Sequence, residues 1–227
     1  MARPSPVTEA TWVRLWDGPT RIVHWALVVL VGFAWWSAET DHLEWHRWSG
    51  YAVLGVLVFR FLWGFAGSAS ARFASFVRGP AATLAYLRTL PKRTHVETPG
   101  HNPLGAWSVV AILATLVAQV VTGLFTVDVD GLESGPLSDR VSFDTGRALA
   151  EWHERCFTVL QVLVALHLAA VVFYFGYKRA NLVRPMITGR ARFSEDPRLG
   201  FAPAWRAIAA ALAALAVAWW TARGLRL

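Results

Sequence analysis

The sequence predicts an all-α integral membrane bundle with four core transmembrane helices and a fifth helix near the C-terminus. Three observations lead there. Of 227 residues, 55% are hydrophobic, with thirteen Trp and thirteen Phe. Only 16% are charged, against roughly 25% in soluble domains. Those charges lie between apolar runs, and each run is about as long as the twenty residues that cross a bilayer.

The first run, RIVHWALVVLVGFAWWSA, covers residues 21–38. The second, HRWSGYAVLGVLVFRFLWGF, covers 46–65, and Asp41 could cap an earlier start. The third covers 102–125 and opens on Asn102-Pro103, a cap followed by proline at the first helical position. The fourth covers 152–177. The fifth, PAWRAIAAALAALAVAWWTA at 203–222, is alanine-rich. It could lie along the interface, but the absence of charge from Ile208 to Trp220 and the Trp219–Trp220 pair favour spanning. No internal repeat and no separately folding soluble domain is visible, so residues 1–227 read as one transmembrane domain.

The connecting segments sort by charge. Arg3, Arg14 and Arg21 precede or open the first helix. Arg60, Arg72, Arg78, Arg88, Lys92 and Arg93 lie in the second loop and the end of the helix before it. Lys178, Arg179, Arg184, Arg190, Arg192, Arg198 and Arg206 follow the fourth helix. The first loop carries Glu39, Asp41 and Glu44. The third carries Asp128, Asp130, Glu133, Asp139, Asp144 and Glu151 against Arg140 and Arg147. By the positive-inside rule the N-terminus and the second and fourth loops are cytoplasmic. Arg223 and Arg226 would then lie outside if the fifth helix spans, which counts against spanning. The first twenty residues are polar and mixed, so no cleavable signal peptide is expected and the first apolar run does the targeting. The net charge of +7 sits in these topological segments. With no phosphate loop or recognition helix, nucleic acid is not an expected partner. The single cysteine, Cys156, excludes an internal disulfide, a four-cysteine metal site and covalent haem attachment.

Histidines carry the chemistry. An imidazole inside a bilayer is costly and usually functional. His153 and His167 are fourteen residues apart on the fourth helix, which is about 21 Å along the axis and nearly four whole turns, so both rings share a face. His24 lies one turn inside the cytoplasmic end of the first helix, and His46 near the outer end of the second. Matching depths pair His24 with His167 and His46 with His153. Two stacked histidine pairs in a helical bundle suit two b-type haems, each iron held axially by two imidazoles. Gly50, one turn after His46, leaves room for a flat porphyrin. A zinc site would need its ligands in one cluster, and a proton pathway does not explain matched depths. His42 and His46 stand at i and i+4, but HLEWH is not the His-Glu-x-x-His motif. His42 and His95 read as surface residues.

The ordered segments RIVHW, HRWSGY, GHNPLG and WHE…ALH resemble the bacterial cytochrome b561 family over about residues 12–190. That family includes the membrane b subunit of nickel–iron hydrogenases, and the b subunit of formate dehydrogenase is related. The resemblance implies two haems b in a four-helix bundle of the inner membrane. Electrons would pass between the quinone pool of a respiratory chain and a redox partner at the outer face. Carried over, His24 and His167 resemble the ligands of the inner haem, and His46 and His153 those of the outer haem. An asparagine near the quinone pocket of the formate dehydrogenase relative nominates His101 and Asn102 for a quinone site, with helix capping as the plainer role of Asn102. Arg21, Arg47 and Arg155 stand near the ligands and could pair with haem propionates, since guanidinium matches carboxylate geometry, or could anchor headgroups. The fifth helix departs from the four-helix pattern.

The expected function is therefore a di-haem membrane cytochrome linking quinone to a periplasmic partner, either a c-type cytochrome or a hydrogenase-type subunit. The acidic segment 126–151 could dock a basic partner. Two alternatives stay open at this point: a stand-alone superoxide:quinone oxidoreductase, and a haem-free membrane transporter or anchor.

Overall fold

The computed structural model describes residues 11–94, 97–129 and 134–226. Arg3, His95, Asp130 and Glu133 lie outside them, and with them the surface placement expected for His95. The chain runs through strand Thr11–Arg14 (β1), then helices Gly18–Glu39 (α1) and Leu43–Ala66 (α2). Two short helices follow, Phe73–Phe76 (α3) and Pro80–Leu87 (α4), and then Pro103–Leu124 (α5). A 3-10 turn at Ser138–Arg140 leads to the long Phe143–Gly176 (α6). Val183–Thr188 (α7), strand Arg190–Phe193 (β2) and Ala204–Ala222 (α8) complete it.

Caps explain most boundaries. The Asp17 carboxylate accepts from Thr20 N at 2.8 Å to start α1, and Asn102 accepts from Gly105 N at 2.8 Å to start α5. Ser142 caps α6 through Thr145 N at 3.2 Å, so the helix begins nine residues before its apolar run. Its 34 residues make about 51 Å, longer than a hydrocarbon core of roughly 30 Å, and its first turns project from the membrane. The cap expected from Asp41 is absent. Asp41 takes φ 57° and turns the chain, while His42 stands at the α2 N-cap without a side-chain bond. His42 itself is exposed, stacked between Trp36 and Trp45.

All five long helices are apolar enough to span, and at most a third of the apolar stretch of each is buried. Ile22, Val29, Phe65, Val172 and Phe175 point outward, the arrangement of a lipid-facing surface. α1 packs along α2, α5 along α6, and α2 meets α5. Among the described residues, α1 and α6 have no comparable run of close backbone packing. Core residues Val53, Leu57, Leu113, Leu116 and Leu160 fill the middle of the bundle.

α8 runs antiparallel along α2. At one end Arg206 Nη1 reaches Ala66 O at 3.3 Å, and Ala202 N reaches Ser68 Oγ at 3.1 Å. At the other, Arg140 Nη2 holds Gly224 O at 3.0 Å and Arg226 pairs with Asp139 at 2.8 Å. Gly55 faces Ala214 and Ala218, a seam of small residues that lets the two backbones approach. The Asp139 pair also meets the objection that a spanning fifth helix leaves Arg226 on the acidic side.

One feature was not expected from the sequence. β1 and β2 pair antiparallel, Thr11 with Phe193 through Arg14 with Arg190. Leu15, Trp16 and Phe193 bury beneath them. The small sheet ties the start of α1 to the segment after α6. Hereafter the face carrying the sheet is the basic face, and the face carrying the 3-10 turn is the acidic face.

Candidate functional site

α2 and α6 run in the same direction, and each presents a stripe at seven-residue spacing toward the bundle axis. On α6 the stripe is His153, Leu160, His167, Tyr174; on α2 it is His46, Val53, Arg60. Seven residues make two turns, about 10.5 Å, so the stripes match layer by layer.

The acidic-face layer brings His46 and His153 together, with ring centroids 6.0 Å apart. His46 Nδ1 lies 2.8 Å from Ala34 O, so Nδ1–H donates and Nε2 keeps its lone pair. His153 is set the same way: Nδ1–H donates to Gln119 O at 2.8 Å. The Gln119 side-chain amide donates to its Nε2 at 3.0 Å. Gly123 on α5 makes room for this ring, since a Cβ there would lie 2.8 Å from His153 Cε1 and 3.0 Å from Nδ1.

Next comes the apolar layer. Leu160, 2% exposed, packs with Val53 and Leu57, and Leu27, Leu30 and Phe157 close around them. It separates the two histidine layers by hydrocarbon.

The third layer brings His24 on α1 to His167 on α6, centroids 6.5 Å apart. His24 Nδ1 is buried without a partner. Arg60, 6% exposed, stands at this depth on α2 with its guanidinium 4.6 Å over the Phe73 ring. The adjoining Asp17 is also buried and accepts from Trp63 Nε1 at 3.0 Å. His101 packs its ring against Trp16 at 4.9 Å and Phe76 at 4.7 Å. Burial, then the positive charge of Arg60, push its imidazole down to about 3, so it is neutral at physiological pH.

The fourth layer is polar. Asn102 Nδ2 donates to the Tyr174 hydroxyl at 3.1 Å, and that hydroxyl lies 2.5 Å from the Tyr86 hydroxyl on α4. Burial of Tyr86 and its bond to Tyr174 raise its phenol above the usual range.

The three arginines nominated with the ligands are placed differently. Arg21 Nη1 donates to Ile187 O at 2.5 Å, one turn before His24. Arg47 is half-buried beside His46. Arg155 is exposed, 3.3 Å from Glu151 and over the Trp152 ring.

A metal–imidazole bond is about 2.0 Å, and the ring centre lies about 1.2 Å beyond the nitrogen, so two imidazoles holding one iron from opposite sides would place their centroids about 6.4 Å apart. Both histidine pairs meet that spacing. Each spans the loosely packed side of the bundle. Among the described residues no three His, Cys, Asp or Glu side chains converge. Each pair would offer two imidazole nitrogens to one iron, and residues 15–189 match the family model described as prokaryotic cytochrome b561.

The chain belongs to the prokaryotic cytochrome b561 family.

No curated protein and no solved structure matches it significantly. As a cytochrome b561 it is a multi-pass membrane protein of electron transfer that binds b-type haem. Sequence reading of this cytochrome b561 missed Arg60, Gln119, Gly123, Tyr86 and Tyr174. Two of them had a signal: Arg60 is fourteen residues after His46, and Tyr174 seven after His167.

Proposed function

We propose that this cytochrome b561 carries electrons across the bacterial inner membrane between quinone at the basic face and a redox protein at the acidic face. The basic face, with the N-terminus, is cytoplasmic by charge. The two histidine pairs at about the spacing of axial ligands carry this reading. His24 and His167 hold one haem b, and His46 and His153 hold the other. Bound there, haem b supplies a one-electron carrier at each depth. The whole chain serves as one transmembrane domain, α8 bracing α2 beside the four-helix core.

The chain's own residues set the ends of the path. Asn102 and the Tyr174 and Tyr86 hydroxyls form a hydrogen-bonded line beside the basic-face pair, which suits a quinone headgroup and the protons it exchanges. His101, neutral and buried at Nδ1, precedes Asn102 in the chain and completes the proposed site. At the acidic face, Asp128, Asp139 and Asp144 suit a basic partner such as a c-type cytochrome, or a hydrogenase-type subunit.

Haem quantified against purified protein tests the reading: two low-spin b haems per chain are expected, and a colourless protein would sink it. Tyr174→Phe tests the quinone end. Loss of its hydrogen bonds, worth roughly 1–1.5 kcal/mol, slows haem reduction by quinol about tenfold, while dithionite still reduces the full haem content.

A further inference from the structure

Among the described residues, seven buried side-chain polar atoms lack a partner, and six of them sit at the basic end: Thr20 Oγ1, Arg21 Nε, His24 Nδ1, Arg60 Nη1, Ser70 Oγ and His101 Nδ1. Buried polar groups are nearly always satisfied, so such a cluster needs an explanation. Every one of these atoms can donate a hydrogen bond. The carboxylate beside them, Asp17, already accepts from Thr20 N and Trp63 Nε1.

Charge points the same way. Arg60 is more than nine-tenths buried, and a guanidinium stays protonated even there. The Asp17 carboxylate acts on it but already accepts from Thr20 N and Trp63 Nε1, and Arg60 Nη1 keeps no partner. A buried charged donor left unsatisfied is costly, and a second carboxylate would meet it. Position narrows the anion. Arg60 occupies on α2 the depth that His167 occupies on α6. Its positive charge helps hold the His101 imidazole neutral. The Ser70 backbone carbonyl faces Gly100, the residue before His101, and the Ser70 hydroxyl is buried without a partner.

We propose that Arg60, with Ser70 and His101 beside it, forms a buried carboxylate site that receives a propionate of the haem held by His24 and His167. This rests on the haem reading above. Arg60 is then a positioning residue. It orients the macrocycle and its positive charge favours the reduced iron.

The test uses holo-protein carrying His153→Leu, in which only the basic-face haem is expected, so one midpoint potential is read. Adding Arg60→Gln shifts that midpoint to more negative values, because a cation that favoured the reduced state is gone. Arg60→Lys restores most of the shift, and Ser70→Ala gives a smaller shift of the same sign and serves if the glutamine variant does not fold. An unchanged midpoint in Arg60→Gln overturns the proposal. So does an unchanged midpoint accompanied by loss of one phosphate per chain on phosphorus analysis, which would assign the site to a lipid headgroup. Absence of haem before Arg60 is touched would instead refute the haem reading itself.

Discussion

His153→Leu lowers the haem content from two per chain to one and removes most electron delivery to an acidic-face acceptor. His153 is half of the acidic-face pair, and leucine offers no ligand. Beyond the ligand, the substitution gives up the two bonds between His153 and Gln119. Leucine suits an apolar helix, and His153 faces the bundle, so the lipid surface of α6 is unaltered. The basic-face pair lies two layers away, about 21 Å along α6, behind the Leu160 layer, and keeps its own ligands. An electron arriving there has no carrier near the acidic face. The pairing predicts more than the single loss. His46→Leu reproduces it, and the double variant is no worse than either alone, because both changes abolish one site. His24→Leu and His167→Leu remove the other haem instead. Optical spectra of the reduced proteins, with haem quantified against protein, decide it. Retention of both haems in His153→Leu, or additive losses in the double variant, would break the pairing.

Much of this architecture was legible before any coordinates. The five spans follow from apolar runs longer than a core helix needs, and the histidine pairs follow from a helical repeat that returns to one face after fourteen residues. The fifth helix was readable as a span from its charge-free middle, and the argument against it, Arg226 on the acidic side, is met by Asp139 from a different segment. What stayed hidden has physical causes. β1 and β2 have four residues each, too few for alternation to register, and they pair across most of the chain. The early start of α6 comes from one serine cap, not from hydropathy. Arg60 resembled the basic residues of the following loop, because a single arginine near the end of an apolar run is also what a headgroup anchor looks like. Its spacing from His46 was the better guide. Gln119 and Gly123 gave no usable signal, since their importance comes from how closely α5 approaches one ring on α6.

Gly123→Val, which removes no metal-binding atom, empties the acidic-face site to below half occupancy. A Cβ at this position would sit 2.8 Å from His153 Cε1, closer than carbon atoms pack at about 3.5–4.0 Å. α5 and α6 are packed along their length, so neither backbone can retreat cheaply, and the ring must tilt. Tilting breaks the 2.8 Å bond from Nδ1 to Gln119 O that fixes the tautomer, and it displaces the ring from its 6.0 Å centroid spacing to His46. Metal–ligand distances tolerate only about 0.2 Å, so the acidic-face haem is lost or turns high-spin, while the basic-face haem keeps its spectrum. Gly32→Val on α1 is the matched control, because a Cβ there meets nothing within 4 Å. Full occupancy in Gly123→Val, or equal loss in the Gly32 control, would show that the approach of α5 does not set the ring. The collision begins at the first side-chain carbon, so Gly123→Ala already lowers occupancy. A defect confined to valine would point to bulk elsewhere in the groove rather than to the position of His153.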